Sequence, residues 1–396
     1  MNNKVWFVSS LVFAALVAGC GGSSNSSDSG IQVQEGYFRD APVIGLSYET
    51  ETQSGITGQD GSYHYIEGER VTFSVGSLTI GQAKAAPILT PIEITSFLSP
   101  SALDNINIVR VLMMLDEDRN PHNGIVVSEV LKTALGESID ASNIDIRTTE
   151  GADELQILLS QVVPGLDLPT NDEAIGHFNE TVRCSLSGIF YGSYSGDGEG
   201  DFIVAIEPQT LEPVGVFQPS DSYDTEWYGI SGPQLELRGG EQPVALGAAS
   251  DIGEFSGVQF TSSFSFDDVS GRWEQDETER GSLLGERFIP SQPGQVIKYV
   301  GTYTIPESSR PEGFIQITLT NDGFMVVDWF DTGWSREHHY GQSISDGLVT
   351  LDIGDEQYQE RYFSFNINNT SGEVINQIVQ DNRGNDISLR LSSCRI

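Results

Sequence analysis

The residues best suited to chemistry form one stretch, Asp116-Glu117-Asp118-Arg119-Asn120-Pro121-His122-Asn123-Gly124-Ile125-Val126-Val127-Ser128-Glu129. Asp116, Asp118 and Asn120 sit at alternate positions, so a tight turn aims their side-chain oxygens at one point. A hard cation such as Ca²⁺ requires that convergence of oxygen donors. The alternative is a solvated acidic turn between two helices, with Asp and Asn as local caps. A second acidic spot, Asp197-Gly198-Glu199-Gly200-Asp201, reads as a solvated hairpin tip.

Signatures of catalysis are wanting. The five histidines are His64, His122, His177, His338 and His339. They form no His-Glu-x-x-His run, there is no Gly-x-Ser-x-Gly elbow, and no cysteine pair has zinc spacing. His338-His339 beside Trp334 reads as a wet pair on a hairpin. We assign no catalytic residue and expect no enzymatic activity. Carboxylate pairs for glycoside hydrolysis stay open, because spacing in sequence does not give separation in space.

The acidic stretch resembles the calcium loop of EF-hand and dockerin proteins. On that likeness Asp116, Asp118 and Asn120 take the first, third and fifth ligand positions. The Gly124 carbonyl is the backbone ligand, and Glu129 is the bidentate carboxylate that closes the site. Ile125 takes the place of the apolar residue that pins the loop to the core. Asn123 takes that of the turn glycine, since Asn tolerates left-handed geometry. Pro121-His122 is an insertion relative to the standard loop. The likeness implies Ca²⁺ in a structural role, and calorimetry with Ca²⁺ tests it.

Upstream, Lys4 precedes an apolar run over 5–16 that ends in Val17-Ala18-Gly19-Cys20. This is the pattern of a secretory signal, too short to span a bilayer stably. Val17-Ala18-Gly19-Cys20 resembles the lipobox of bacterial lipoprotein signal peptides. The likeness implies removal of 1–19 and acylation of the Cys20 sulfur, as by palmitate. Gly21, where Asp would signal inner-membrane retention, favours the cell outer membrane. An uncleaved anchor and a signal without lipid are the alternatives. Residues 20–30 then form the lipidated Cys and a flexible Gly/Ser tether.

The elements that position these residues belong to a strongly acidic chain. It has 396 residues, 20 Lys+Arg against 57 Asp+Glu, and a formal net charge of −37. That argues against a nucleic-acid partner, which needs a cationic surface, and against electrostatic docking on anionic lipid. Self-repulsion of this size calls for screening salt or bound cations. We therefore expect a salty or divalent-rich exterior; a melting temperature indifferent to NaCl and Ca²⁺ contradicts this. Of three cysteines, Cys20 is assigned to lipid. Cys184 and Cys394 remain, an even pair in an exported chain, and predict a disulfide. It closes a loop of roughly 200 residues, worth ~4–5 kcal/mol on the chain-entropy model. Two separate buried thiols are the alternative.

The pattern predicts a multidomain, mainly β protein with one helical insert. Residues 31–95 read as a small β-sandwich, with Asp60-Gly61 as a hairpin turn. Asp40-Ala41-Pro42-Val43-Ile44-Gly45-Leu46 and Gly58-Gln59-Asp60-Gly61-Ser62-Tyr63-His64-Tyr65 resemble the carboxypeptidase-regulatory, transthyretin-like sandwich. With the loop above, about residues 35–183 resemble adhesin-like bacterial surface modules. Residues 96–183 read as a helical subdomain. Ile108-Val109-Arg110-Val111-Leu112-Met113-Met114-Leu115 is apolar nearly all round, a buried helix. Thr170 with Glu173 marks a capping box.

Residues 184–290 and 291–396 read as two related β units. Tyr191-Gly192-Ser193-Tyr194 is echoed by Val300-Gly301-Thr302-Tyr303, and Phe264-Ser265-Phe266 by Phe363-Ser364-Phe365, about 100 residues apart. The rhythm predicts a duplicated antiparallel region of meanders, as small barrels or one sandwich.

These likenesses imply a lipid-anchored binding or structural protein of the cell envelope, adhesin-like and without catalysis. The outer membrane is its partner through the lipid, and other envelope proteins or glycans are candidate partners. A carbohydrate-binding lipoprotein is the alternative, with Trp227, Tyr228, Trp329, Trp334 and Tyr340 stacking sugars. A secreted hydrolase ranks last.

Overall fold

A computed structural model describes residues 32–220, 227–248, 257–275, 278–289, 295–305, 308, 310–320, 324–331, 336–343, 347–355, 360–368 and 370–395. The signal, Cys20, the tether and Trp334 lie outside the described residues. Among those described, no helix is long and apolar enough to cross a membrane.

The first strands are β1 (Val33–Phe38), β2 (Val43–Ile44), β3 (Ser47–Glu49), β4 (Ser54–Ile56), β5 (Ser62–Ile66), β6 (Arg70–Val75), β7 (Leu78–Lys84) and β8 (Ile88–Leu89). They make a sheet ordered β5-β1-β8 and a second ordered β4-β3-β6-β7. Alternation sends every second side chain inward, and Phe38, Tyr48, Tyr63, Tyr65 and Phe73 share one core. Asp60-Gly61 is not a hairpin turn. β4 pairs with β3 and β5 with β1, so this turn carries the chain between sheets. Gly61 has φ 76°, and a Cβ there would meet Phe38 O at 2.6 Å.

Five helices and one short strand follow: α1 (Pro91–Thr95), α2 (Leu103–Leu115), β9 (Ile125–Val126), α3 (Glu129–Glu137), α4 (Thr149–Leu159) and α5 (Asn171–Leu186). Helix therefore begins before residue 96, at a capping box of Thr90 and Glu93. It also runs past 183, so Cys184 lies in the last turn of α5. The Thr170–Glu173 capping box is formed. α2 is buried on nearly every side because it separates two cores. Ile108, Val111, Leu112 and Leu115 face the sandwich, whereas Ile106 and Val109 face α5 and the barrel below.

Strands β10 (Gly188–Gly196), β11 (Gly200–Ile206), β12 (Pro213–Pro219), β13 (Tyr228–Ser231), β14 (Gln242–Ala248), β15 (Gln259–Phe264), β16 (Asp268–Gln275) and β17 (Glu279–Arg287) close into a barrel, each pairing with the next and β17 with β10. Eight strands leave an interior that side chains can fill. Phe190, Tyr194, Phe202, Phe217, Phe260, Phe264 and Trp273 share its core. Tyr194 meets Phe217, Phe260 and Trp273 edge-on, with centroids 5.5–6.1 Å apart.

The second unit runs through β18 (Gln295–Thr304), β19 (Gly313–Thr320), β20 (Phe324–Asp331), β21 (Arg336–Ser343), β22 (Leu348–Asp355), β23 (Glu360–Asn368), β24 (Glu373–Val374), β25 (Ile378–Gln380) and β26 (Asp386–Arg395). It forms one sheet ordered β21-β20-β19-β18-β26-β25 and one ordered β22-β23-β24. A bridge from Phe363 to Asp381 ties them, and Tyr299, Trp329, Phe363 and Phe365 share the core between.

The sequence echo marks equivalent places. Gly192 in β10 and Gly301 in β18 each lie in a first strand pressed against a last one. A Cβ would meet Leu284 O of β17 at 2.2 Å and Arg390 O of β26 at 1.9 Å, respectively. Tyr194 pairs across to Gly200, and Tyr303 to Gly313. The outer faces of the two units meet through Ile189, Ala205, Val216 and Trp227 against Val300 and Phe314.

Candidate functional site

The acidic loop is anchored at both ends. α2 delivers Asp116, and β9 adds to β2 in parallel, so the loop is stitched to the sandwich. Asp116 is buried. Its Oδ1 accepts the Val126 N–H at 2.9 Å, and its Oδ2 has no hydrogen-bond partner. Burial raises its carboxyl to about 6, and the neighbouring Asp118 charge adds to the rise. Asp118 accepts the Asn123 amide at 2.8 Å and the Asn120 N–H at 2.9 Å. These bonds hold it below the usual carboxylate range.

The structure thus brings Asp116 and Asp118 together and places the Asn120 backbone beside them. It does not bring in Glu129, which is exposed on the first turn of α3 and accepts Lys132 Nζ at 2.6 Å. Gly124 lies beyond a 3₁₀ turn over Pro121–Asn123. That turn displaces the expected geometry: the left-handed residues are Arg119 (φ 59°) and Gly124 (φ 102°), not Asn123. Asp116, Asp118 and Asn120 offer the hard oxygens that Ca²⁺ takes, with one buried oxygen unpartnered. Glu129 does not fit that set while Lys132 holds it. Among the described residues, no group of three or more His, Cys, Asp or Glu is arranged to hold a metal.

The far side of this loop walls a cleft of ≈ 540 Å³. Asn120, His122 and Asn123 line one side, Glu180 and Arg183 of α5 the floor, and Arg395 of β26 another side. Arg395 donates to His122 O at 3.3 Å and to Thr370 O at 3.2 Å. His122 Nδ1 lies 3.9 Å from Glu180. Cys394 also lines the cleft, and it is joined to Cys184 with Cα atoms 5.5 Å apart. The disulfide thus ties the end of α5 to the last strand. Amides, hydroxyls and both signs of charge equip the cleft for a polar ligand.

Other sequence candidates fall elsewhere. Trp227 and Trp329 are buried in the core, so neither belongs to an exposed platform for sugars. Tyr228 is half-buried against Phe217, centroids 5.5 Å apart. Tyr340, His338 and His339 lie on β21, where the two histidines pair in register with Trp329 and Asp328. His64 meets the Tyr48 hydroxyl at 3.3 Å. His177 is buried 3.1 Å from Asp40. Asp197 is a hairpin tip whose Oδ2 accepts the Arg280 N–H.

Sequence reasoning missed two groupings. Glu93 and Asp267 interact across the α1–barrel junction; burial raises each to about 7. Glu93 is engaged by Thr90 in the capping box, and neither acid lines the cleft. The second grouping, Arg39, Arg287 and Lys298, gathers from three segments that no spacing connects.

Comparison with known proteins adds little. No family model and no curated protein matches. One solved structure does, a protein of unknown function from the DUF3598 family of Nostoc punctiforme, at 11% identity. The match covers 54% of this chain and 98% of that one, with a TM-score of 0.17, too low to support any statement about this chain.

Proposed function

We propose that this chain is a lipid-anchored protein of the bacterial outer membrane that binds or scaffolds other envelope components, adhesin-like and without catalysis. The single observation that carries the reading is the cleft walled by the acidic loop and β26 and braced by the Cys184–Cys394 disulfide. Disulfides persist in exported proteins, and a braced polar cleft suits recognition. The lipobox-like Val17-Ala18-Gly19-Cys20 supports the address. The ring-filled barrel supports a scaffold over a container.

A Ca²⁺ ion held by Asp116, Asp118 and Asn120 would relieve the crowding of the two carboxylates, partner Asp116 Oδ2 and fix α2 against β9. Calorimetry with millimolar Ca²⁺ tests this part: the loop should release or absorb heat, and Asp118→Asn should abolish it. Absence of heat in the parent chain removes the calcium claim. Membrane fractionation tests the address. The parent should float with the outer membrane, and Cys20→Ser should be soluble or uncleaved. A Cys20→Ser protein still in the outer membrane removes the anchor. A glycan array with the full chain tests the ligand. Binding lost on Arg395→Ala supports the cleft, and binding indifferent to it places recognition elsewhere.

A further inference from the structure

Three buried cations meet where the sandwich, α5 and the second β unit come together. Arg39 follows β1 and is 7% exposed; its Nη1 is buried without a hydrogen-bond partner. The Tyr37 ring centroid lies 4.9 Å from its guanidinium carbon. Lys298 of β18 is 6% exposed. It donates to Cys184 O at 2.6 Å and Ser187 O at 2.7 Å, which leaves one ammonium hydrogen free. Arg287 ends β17, is 8% exposed, and donates to carbonyls of Cys184, Ser185, Ser187 and Phe266.

All three line one cavity of ≈ 50 Å³, together with Gln316, whose buried Oε1 has no partner. A water needs about 10–15 Å³ on this measure, so a chloride-sized ion fits with room for a water. Rotating the Gln316 amide would present its N–H donors to such an ion.

The charges do not cancel locally. None of the three cations has a carboxylate within ion-pair distance among the described residues. Asp60 acts on Arg39 and Asp267 on Arg287 from farther off, and neither lines the cavity. The C-terminus of α5 offers about half a negative charge against these cations. Burial, then Arg287 and Arg39, drive the Lys298 ammonium well below its ordinary pKa. Uncompensated buried charge is costly: an empty cavity favours loss of the Lys298 proton, and an anion in it favours keeping that proton on. The chain's charge of −37 repels anions at long range, so only a local excess of this kind captures one.

We propose that this cavity is a buried anion site that takes one small inorganic monovalent anion of chloride size, held by Arg39 and Lys298 with Arg287 behind them.

Thermal unfolding of the full chain, disulfide intact, tests it with NaBr and sodium gluconate exchanged at constant ionic strength. Gluconate is too large to enter. Bromide should raise the melting temperature saturably, by on the order of a few °C. Arg39→Met and Lys298→Met should each abolish the bromide dependence. Equal melting temperatures in both salts overturn the proposal. So does a bromide rise that persists in both variants. Crystals grown in bromide give a readout independent of the variants' folding: an anomalous peak between Arg39 and Lys298 supports the site, and water alone there overturns it.

Discussion

Arg287 and Lys298 come from different β units and donate to the same two carbonyl oxygens, those of Cys184 and Ser187. These carbonyls end α5, where helix geometry leaves acceptors unpaired. Both β units are thereby fastened to one helix end. The disulfide reinforces the same place, because Cys184 carries both the carbonyl and the sulfur.

Arg287 is the harder cation to lose. It also serves Ser185 O and Phe266 O, which have no share in Lys298. Arg287→Met should lower the unfolding free energy by about 3 kcal/mol, since buried acceptors left without donors cost ~1–3 kcal/mol each. Lys298→Met should cost less, because Arg287 still reaches both shared carbonyls. Urea unfolding of the two variants checks the order, and a greater loss for Lys298→Met contradicts it.

The disulfide should be worth ~2–5 kcal/mol, the usual range for a native bridge. Cys184→Ser with Cys394→Ser should lower the urea midpoint accordingly, as should reductant on the parent. Reductant with no effect on the midpoint would mean that the bridge is absent or adds nothing.

The Tyr–Gly contacts predict paired sensitivity. At Gly200 a Cβ would lie 2.1 Å from Gln218 O and 2.7 Å from the Tyr194 hydroxyl, and at Gly313 it would lie 2.2 Å from the Tyr303 ring. Gly200→Ala and Gly313→Ala should each destabilise by about 1–3 kcal/mol through overpacking. Gly247→Ala is the control, because a Cβ there meets nothing within 4 Å. Melting curves of the three variants decide the matter, and equal melting temperatures would deny the role of these contacts.

Stability should fall from mildly acidic to mildly alkaline pH. Burial raises Glu93 and Asp267 to about 7 and Asp116 to about 6. Burial lowers His177, but Asp40 beside it outweighs that and holds it above its usual value. A group with a raised folded pKa binds its proton more tightly when folded, so its stabilisation fades as pH rises through that value. For the carboxyls the window runs from about pH 4 to about pH 7. For His177 it opens near 6.5 and extends upward. Carboxylates held low, such as Asp118 and Asp145, change below that window. Lys298, held well below its ordinary pKa by burial, works in the opposite sense, so one group opposes the four that fall. The melting temperature should be higher near pH 5 than near pH 8, and Glu93→Gln should shrink the difference. A flat or rising profile refutes this account.

Much of the architecture is legible in particular residues. The capping pair Thr170 and Glu173, the all-round apolar run of α2 and the Gly-Tyr echo are local patterns, and each has its expected place. Parity of cysteines paired Cys184 with Cys394. Tryptophan in a β-rich chain carries no mark of its side, and Trp227 and Trp329 fell inward. Asp60-Gly61 has turn chemistry, yet a turn between sheets uses the same residues as a hairpin. Within the loop, Asp116 and Asp118 meet as their alternation implies, whereas Lys132 takes Glu129 one helical turn onward.

The sequence by itself determined what depends on neighbours along the chain: strand alternation, helix caps, glycines at close approaches, and a repeat that folds twice into β units. Backbone sterics and periodicity act over a few residues, so they leave a readable trace. Only the tertiary structure decided which distant groups share a space: Arg39 with Lys298 and Arg287, Glu93 with Asp267, and His122 with Arg395. Those meetings follow from the packing of whole elements, where separation in sequence carries no information about separation in space.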